Sequence, residues 1–209
     1  MNFAEYNVKD ANLEEVLLAL KSLDTVEAVA LGGSRSTGAS DENSDYDIYV
    51  YCAEIPTAET RENLLGKYCS IAEFGNHYWE SEDNTVMNNG VPVDIIYREV
   101  DRFGRYIDTV IKGGKAFNGY TTAFWHNIKN SKVLFDKTGS FTKFRDMAQI
   151  DFPENLRSAI IKNNRNLLNG KLPSYDRQIK KAQERGDIVS VNHRITAFLE
   201  SYFDVIFAL

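Results

Sequence analysis

Apolar and polar positions alternate along this chain with two different periods, one typical of helices and one typical of strands. Leu13, Val16, Leu17 and Leu20 fall on one face of a helical wheel. Residues 12–20 are therefore expected to form an amphipathic helix whose apolar face packs on a core.

Short runs rich in β-branched, aliphatic and aromatic residues mark the candidate strands. They cover residues 26–31, 46–51, 69–74 and 91–97. Asn89-Gly90 precedes the last run and is a strong signal for a tight turn. Helical patterns over residues 60–68 and 99–111 are interspersed with these strands, and the second ends at Gly113-Gly114. The first part of the chain therefore predicts strands and helices in alternation.

The strand signal fades after about residue 115, and the remaining pattern is typical of helices. Pro153 can start one helix. The longest helical pattern covers residues 188–207 and carries an apolar stripe. The stripe consists of Ile188, Val191, Ile195, Phe198, Leu199, Tyr202 and Ile206. We predict an α+β domain over residues 1–140, followed by an all-α helical domain over residues 141–209.

The last residues, 203–209, are unusually apolar for the end of a helix, where polar or basic side chains are common. Two explanations stay open at this point. Either this end is buried, for example against a second subunit in a homodimer, or the chain is a fragment of a longer protein.

The candidate chemistry lies in three carboxylates on predicted strands. Asp45 and Asp47 point to the same face because strand side chains alternate, and their Cα atoms would be about 7 Å apart. Asp94 stands in an apolar run, where burying a carboxylate needs a partner. If the strand of Asp94 lies beside residues 46–51, all three face one cleft. They could then hold two Mg²⁺ ions, which prefer oxygen ligands.

A run of small residues precedes these carboxylates. Gly32 and Gly33 allow unusual backbone angles and close approach of another group. Ser34 offers a hydroxyl and an N–H, and a helix beginning here would attract phosphate. Arg35 either adds positive charge or lies on the surface.

Each of these features also has an ordinary structural explanation. A glycine turn between two strands is common, and an Asp-x-Asp pair on a strand usually faces solvent. The combination, in this order and at workable spacing, is much rarer, so we interpret it as a functional site.

The run from Gly33 to Gly38, followed by Ser44, Asp45 and Asp47, resembles the signature of the DNA polymerase beta-type nucleotidyltransferase superfamily. Among its members, the chain is most similar to small bacterial lincosamide and aminoglycoside nucleotidyltransferases. The resemblance implies a nucleotidyltransferase-fold mixed β-sheet with flanking helices and a helical C-terminal domain. One departure is Ser36, where the family often has alanine.

The resemblance also implies a role for each residue. Gly33 and Ser34 would hold the β- and γ-phosphates of a nucleoside triphosphate, within a nucleotide-binding stretch that includes Arg35 and Gly38. Asp45 and Asp47 would bind Mg²⁺. Asp94, the third acid, would bind a second metal ion and help deprotonate the acceptor hydroxyl.

Composition narrows the partners. The chain has 24 basic and 30 acidic residues and a formal net charge of −6. This disfavours a nonspecific nucleic-acid partner, which requires a basic surface. It suits a cationic small molecule, although it is also ordinary for soluble proteins. Two cysteines make no disulfide framework, and neither a signal peptide nor a membrane span is expected, so we predict a cytoplasmic protein.

The sequence therefore predicts Mg²⁺-dependent transfer of a nucleoside monophosphate, with ATP as the expected donor, to a hydroxyl of a small molecule. A lincosamide or an aminoglycoside is the most concrete acceptor. Adenylylation of a partner protein, as in antitoxin-like relatives, is one alternative. A nucleotide-binding module without turnover is another, although all three acids are present.

Overall fold

The computed structural model describes residues 9–170 and 172–209, which include a six-stranded mixed β-sheet. The strands are β1 Val26–Leu31, β2 Tyr46–Cys52, β3 Cys69–Asn76, β4 Ser81–Met87, β5 Pro92–Glu99 and β6 Lys132–Asp136. Their order across the sheet is β3-β4-β5-β2-β1-β6. Strands β2 and β5 pair in parallel, and the other neighbours pair antiparallel. The predicted α+β fold class with a mixed sheet is confirmed.

Among the described residues, helices are interspersed with the strands along the chain, and the part after β6 is helical. The helices are α1 Ala11–Lys21, α2 Gly33–Thr37, α3 Ala58–Leu65, α4 Val100–Ile107, α5 Thr121–Asn130, α6 Ser140–Ala148, α7 Glu154–Leu168, α8 Tyr175–Glu184 and α9 Ile188–Ala208. A short 3₁₀ turn follows α3 at Gly66–Tyr68, and a π-helical stretch follows α4 at Asp108–Lys112. None of these helices is both long enough and apolar enough to cross a membrane.

One face of the sheet forms the main hydrophobic core. Its alternating β2 and β5 side chains are buried together with the apolar face of α1 and with Leu65 of α3. The strand residues are Ile48, Val50, Cys52, Val93, Ile95 and Tyr97. Because side chains alternate along a strand, this arrangement turns Asp47, Tyr49 and Asp94 to the opposite face.

The opposite face is covered farther along β2 by aromatic side chains. Tyr51 contacts Phe103 of α4 at 5.3 Å between ring centroids and Phe141 of α6 at 4.8 Å. These helices leave the beginning of β2, where Asp47 lies, outside the aromatic cluster.

Two strands, β4 and β6, were not predicted from the sequence. Strand β4 is polar at most positions, and even its buried side chains include Asp83 and Thr85. Strand β6 is only five residues long and begins and ends with the charged residues Lys132 and Asp136. Neither shows the apolar alternation that identifies a strand locally.

The chain divides into two compact units. The first holds the described residues through Arg105 together with Asn127–Met147, and it contains the whole sheet. The second holds Tyr106–His126 and Ala148–Leu209, and it is helical. The division at residue 140 that the sequence suggested stays a prediction. The absence of a signal peptide also stays one, because residues 1–8 lie outside the described residues.

Candidate active site

The turn after β1 lies directly against Asp47. The Gly32 N–H donates a hydrogen bond of 2.9 Å to the Asp47 carbonyl. Gly33 has a φ of 60°, which an L-amino acid rarely adopts, and a Cβ added there would lie 1.7 Å from Asp47 Oδ2. Glycine is therefore required at position 33 both by the backbone and by the carboxylate beside it.

The parallel pairing of β2 and β5 brings Asp47 and Asp94 together. They are direct partners in the register, which places their Cα atoms about 4.8 Å apart on the same face. Burial raises the pKa of Asp47, and repulsion from Asp45 and Asp94 raises it further. Asp45 and Asp94 thus both lie within electrostatic reach of Asp47.

These carboxylates suit a divalent cation by their chemistry. Three neighbouring anionic oxygen donors repel one another, and a hard cation such as Mg²⁺ relieves that repulsion. Within residues 9–170 and 172–209, no group of three or more His, Cys, Asp or Glu side chains converges closely enough to form a metal cluster. Binding of two ions would therefore require the Asp45, Asp47 and Asp94 side chains to turn toward a common point.

Asp94 is oriented by an amide on β4 that was not predicted from the sequence. Asn84 pairs with Asp94 in the register, and its Nδ2 donates a 2.9 Å hydrogen bond to Asp94 Oδ1. Asn76 on β3 in turn donates to Asn84 Oδ1 at 2.6 Å. The Asn89-Gly90 turn could have revealed this neighbour, because a tight turn before β5 implies an antiparallel strand preceding it.

Arg35, which we predicted to contact the nucleotide, holds the acidic segment instead of projecting freely. Its Nε donates to the carbonyl oxygens of Ser44 at 3.0 Å and Asp45 at 2.8 Å. Its Nη2 also bonds the Ser44 carbonyl, and the guanidinium lies 4.1 Å from the centre of the Tyr46 ring. Arg35 therefore fixes the approach to β2, while its role as a nucleotide ligand stays a prediction.

The rest of the small-residue run forms helix α2. The Ser34 hydroxyl has no hydrogen-bond partner among the described residues, whereas its carbonyl accepts from the Thr37 hydroxyl at 3.1 Å. The Ser36 hydroxyl, at the position where the family often has alanine, donates a 2.8 Å hydrogen bond to the Gly33 carbonyl. Gly38 ends α2 with a φ of 80°. The loop is thus held internally, and the Ser34 hydroxyl remains available.

The Tyr49 side chain on β2 packs against the turn after β1. A Cβ on Gly32 would come within 2.4 Å of the Tyr49 ring, so the two are in close contact. The Tyr49 hydroxyl accepts a 2.8 Å hydrogen bond from Asn127, and the Arg98 guanidinium lies 4.4 Å from the ring centre. Arg98 is itself held by Glu80 through two hydrogen bonds of 2.8 and 2.6 Å. No local pattern in the sequence marks this group, because it joins residues far apart in the chain.

Comparison with known protein families found a match over about half of this chain. Residues 13–116, which include the turn and all three carboxylates, match the nucleotidyltransferase domain family. A search of curated proteins found no match.

A search of solved structures matched a toxin-antitoxin with AMP-PNP, at 15% identity and a TM-score of 0.40. The alignment covers 74% of this chain and 94% of that one. It also matched the CCA-adding enzyme of Thermotoga maritima complexed with tRNA, at 14% identity and a TM-score of 0.38. Here the alignment covers 97% of this chain and 53% of that one.

Proposed function

Since residues 13–116 form a nucleotidyltransferase domain and the protein is a transferase, we propose that it transfers a nucleoside monophosphate from ATP to a hydroxyl of a small molecule. The observation that carries this proposal is the in-register pair of Asp47 and Asp94 beside the Gly33 turn. Two carboxylates on adjacent strands, next to a backbone that admits no side chain, suit a triphosphate and its cations.

We assign the chain's residues the following roles. The Gly33 backbone and the Ser34 hydroxyl hold the β- and γ-phosphates. Asp45 and Asp47 hold Mg²⁺, with Asp94 as a shared or second ligand. When bound, the metal neutralises phosphate charge and favours attack at the α-phosphorus. Arg35 keeps Asp45 in place through the backbone.

Asp94 has a second role as proton acceptor. Its Oδ1 accepts a hydrogen bond from the Asn84 amide, so Oδ2 is left to receive the proton of the acceptor hydroxyl. The hydroxyl oxygen forms a bond to the α-phosphorus, the bond from that phosphorus to the bridging oxygen breaks, and pyrophosphate leaves. Positioning and charge neutralisation supply most of the rate enhancement in such transfers.

We further propose that the acceptor is cationic, with an aminoglycoside as the first candidate and a lincosamide as the second. Glu82 on β4 lies near Asp94. Burial raises the pKa of Glu82, and repulsion from the Asp94 carboxylate raises it further. Glu82 makes no ion pair among the described residues. An acidic side chain beside the attacking group would attract an amino sugar.

A mass-shift screen tests this proposal. The protein is incubated with ATP, Mg²⁺ and a panel of aminoglycosides and lincosamides, and adducts are detected by mass spectrometry. We expect one acceptor to gain a single AMP with the wild-type chain and with Asp24→Asn, an exposed matched control, but not with Asp94→Asn. An adduct on a protein would overturn the small-molecule acceptor, and equal turnover in Asp94→Asn would overturn its role.

A further inference from the structure

Helix α9 has its polar and apolar faces reversed relative to an ordinary surface helix. The residues that it buries are small or polar, namely Ser201, Asp204 and Ala208. Nine large apolar residues, eight in α9 and one directly after it, are 40–81% exposed. They are Ile188, Val189, Ile195, Leu199, Tyr202, Phe203, Ile206, Phe207 and Leu209. A surface helix normally turns such a stripe toward the core.

This orientation is fixed by a buried polar network within the helical unit. Asp204, only 2% exposed, accepts hydrogen bonds through Oδ1 from the Thr122 N–H at 3.0 Å and from the Thr122 hydroxyl at 3.1 Å. Its Oδ2 accepts from Asn164 of α7 at 3.2 Å. Rotating α9 to bury its apolar side chains would leave this carboxylate and amide unpaired, at a cost typical of buried polar groups. The apolar face therefore stays outward.

The exposed residues are spaced for packing against another helix. Positions separated alternately by four and three residues form a line, here called the α9 seam. It consists of Ile188, Asn192, Ile195, Leu199, Tyr202, Ile206 and Leu209. Asn192 is its one amide, and the charged residues Arg194, Glu200 and Asp204 lie off the line. A helix of the same sequence is therefore complementary to this seam.

The size of the exposed surface also fits a dimer. The six apolar residues of the seam present roughly 600 Å², taking about 150–250 Å² for each aromatic ring and slightly less for aliphatic chains. Val189, Phe203 and Phe207 beside the seam bring the exposed apolar surface of α9 to roughly 1,000 Å². The largest apolar patch of a typical monomer is about 300–600 Å². A stable interface needs about 800 Å² from each partner.

We infer that the α9 seam is the interface between two copies of this chain. A two-fold axis places the same patch on both subunits, so a self-complementary seam closes the assembly at two. The inference does not depend on the proposed transfer reaction, because it concerns the helical unit alone.

Sedimentation velocity of the full chain tests the inference directly. We expect a dimer for the wild type, a monomer for Leu199→Glu, and a dimer for Leu18→Glu. Leu18 is a matched control because it is also an exposed leucine, at 59%, on α1. The charge introduced at position 199 would face its own copy across the axis.

A second measurement covers the case in which Leu199→Glu fails to fold. The melting temperature of the wild type is expected to rise with protein concentration, as mass action requires for a dimer. A wild type that sediments as a monomer with a concentration-independent melting temperature would overturn the inference. So would a folded Leu199→Glu dimer, or co-purification of a different protein that Leu199→Glu releases.

Discussion

Replacing Gly33 with alanine tests the geometry of the candidate site most specifically. Position 33 has a φ of 60°, and the new Cβ would lie 1.7 Å from Asp47 Oδ2, far inside van der Waals contact. The turn cannot simply move away, because the Gly32 N–H is bonded to the Asp47 carbonyl at 2.9 Å. The Asp47 carboxylate must therefore rotate out of its position.

The expected effect of Gly33→Ala has two parts, a loss of stability and a displacement of the Asp47 carboxylate, and a control variant separates them. The left-handed backbone costs about 1–2 kcal/mol for a residue with a Cβ. At about 2–4 °C per kcal/mol for a chain of this size, the melting temperature should fall by about 2–8 °C. Gly90 has a φ of 85° and no atom within 4 Å of its added Cβ, so Gly90→Ala carries the backbone cost alone. Displacing a catalytic group by about 1 Å costs on the order of 10²-fold in rate.

The assay is Mg²⁺-dependent binding of α,β-methylene ATP by calorimetry, with thermal unfolding measured on the same samples. We expect both variants to lose similar stability, and only Gly33→Ala to lose nucleotide binding by more than tenfold. Equal binding by Gly33→Ala and Gly90→Ala would refute the argument that the Gly33 turn and Asp47 form one site.

Three further predictions follow from individual side chains. Burial and neighbouring carboxylates raise the pKa of Asp47 above its ordinary value of 3.8. Ionised Asp47 is therefore less favourable in the folded than in the unfolded protein, and the free energy of unfolding falls as the pH rises from 3.8 through the raised pKa. In EDTA at pH 7, Asp47→Asn should therefore melt higher than wild type, with the gain disappearing near pH 3; a lower melting temperature at pH 7 would contradict this. Arg61→Leu strips the partner, 3.4 Å away, from the buried Asp83 carboxylate and should cost about 3–5 kcal/mol in urea unfolding; a loss below about 1 kcal/mol would show that the pair matters little. Burial raises the pKa of the Cys52 thiol to about 12, so iodoacetamide at pH 8 should alkylate Cys52 only after unfolding; rapid labelling of the folded protein would argue against this burial.

Local patterns predicted the elements that carry the site. The apolar run over Val26–Leu31, ended by glycine, gave β1 with its observed bounds, and the aromatic alternation after Asp45 gave β2. The shared face of Asp45, Asp47 and Asp94 depended on β2 and β5 being neighbours, a condition that the sequence could state but not test. The in-register parallel pairing meets that condition.

What the sequence missed depends on contacts between distant residues. Asn84 orients Asp94 from a polar strand that shows no apolar alternation. In α9 the pattern predicted an apolar stripe, but it did not predict that the opposite, polar face, which carries Asp204, would be the buried one. The hydrogen bonds of Asp204 to Thr122 and Asn164 bury that face, and no periodicity within one helix can reveal partners 82 and 40 residues away.

The fate of the phosphates of ATP tests the central claim most directly. ATP labelled at either the α- or the γ-phosphorus is incubated with Mg²⁺, the protein and the acceptor panel, and the label is followed into product and pyrophosphate. The account predicts that the acceptor gains the α-label, that the γ-label leaves as pyrophosphate, and that Asp47→Asn abolishes both. Transfer of the γ-label to the acceptor, or unchanged α-transfer by Asp47→Asn, would contradict it.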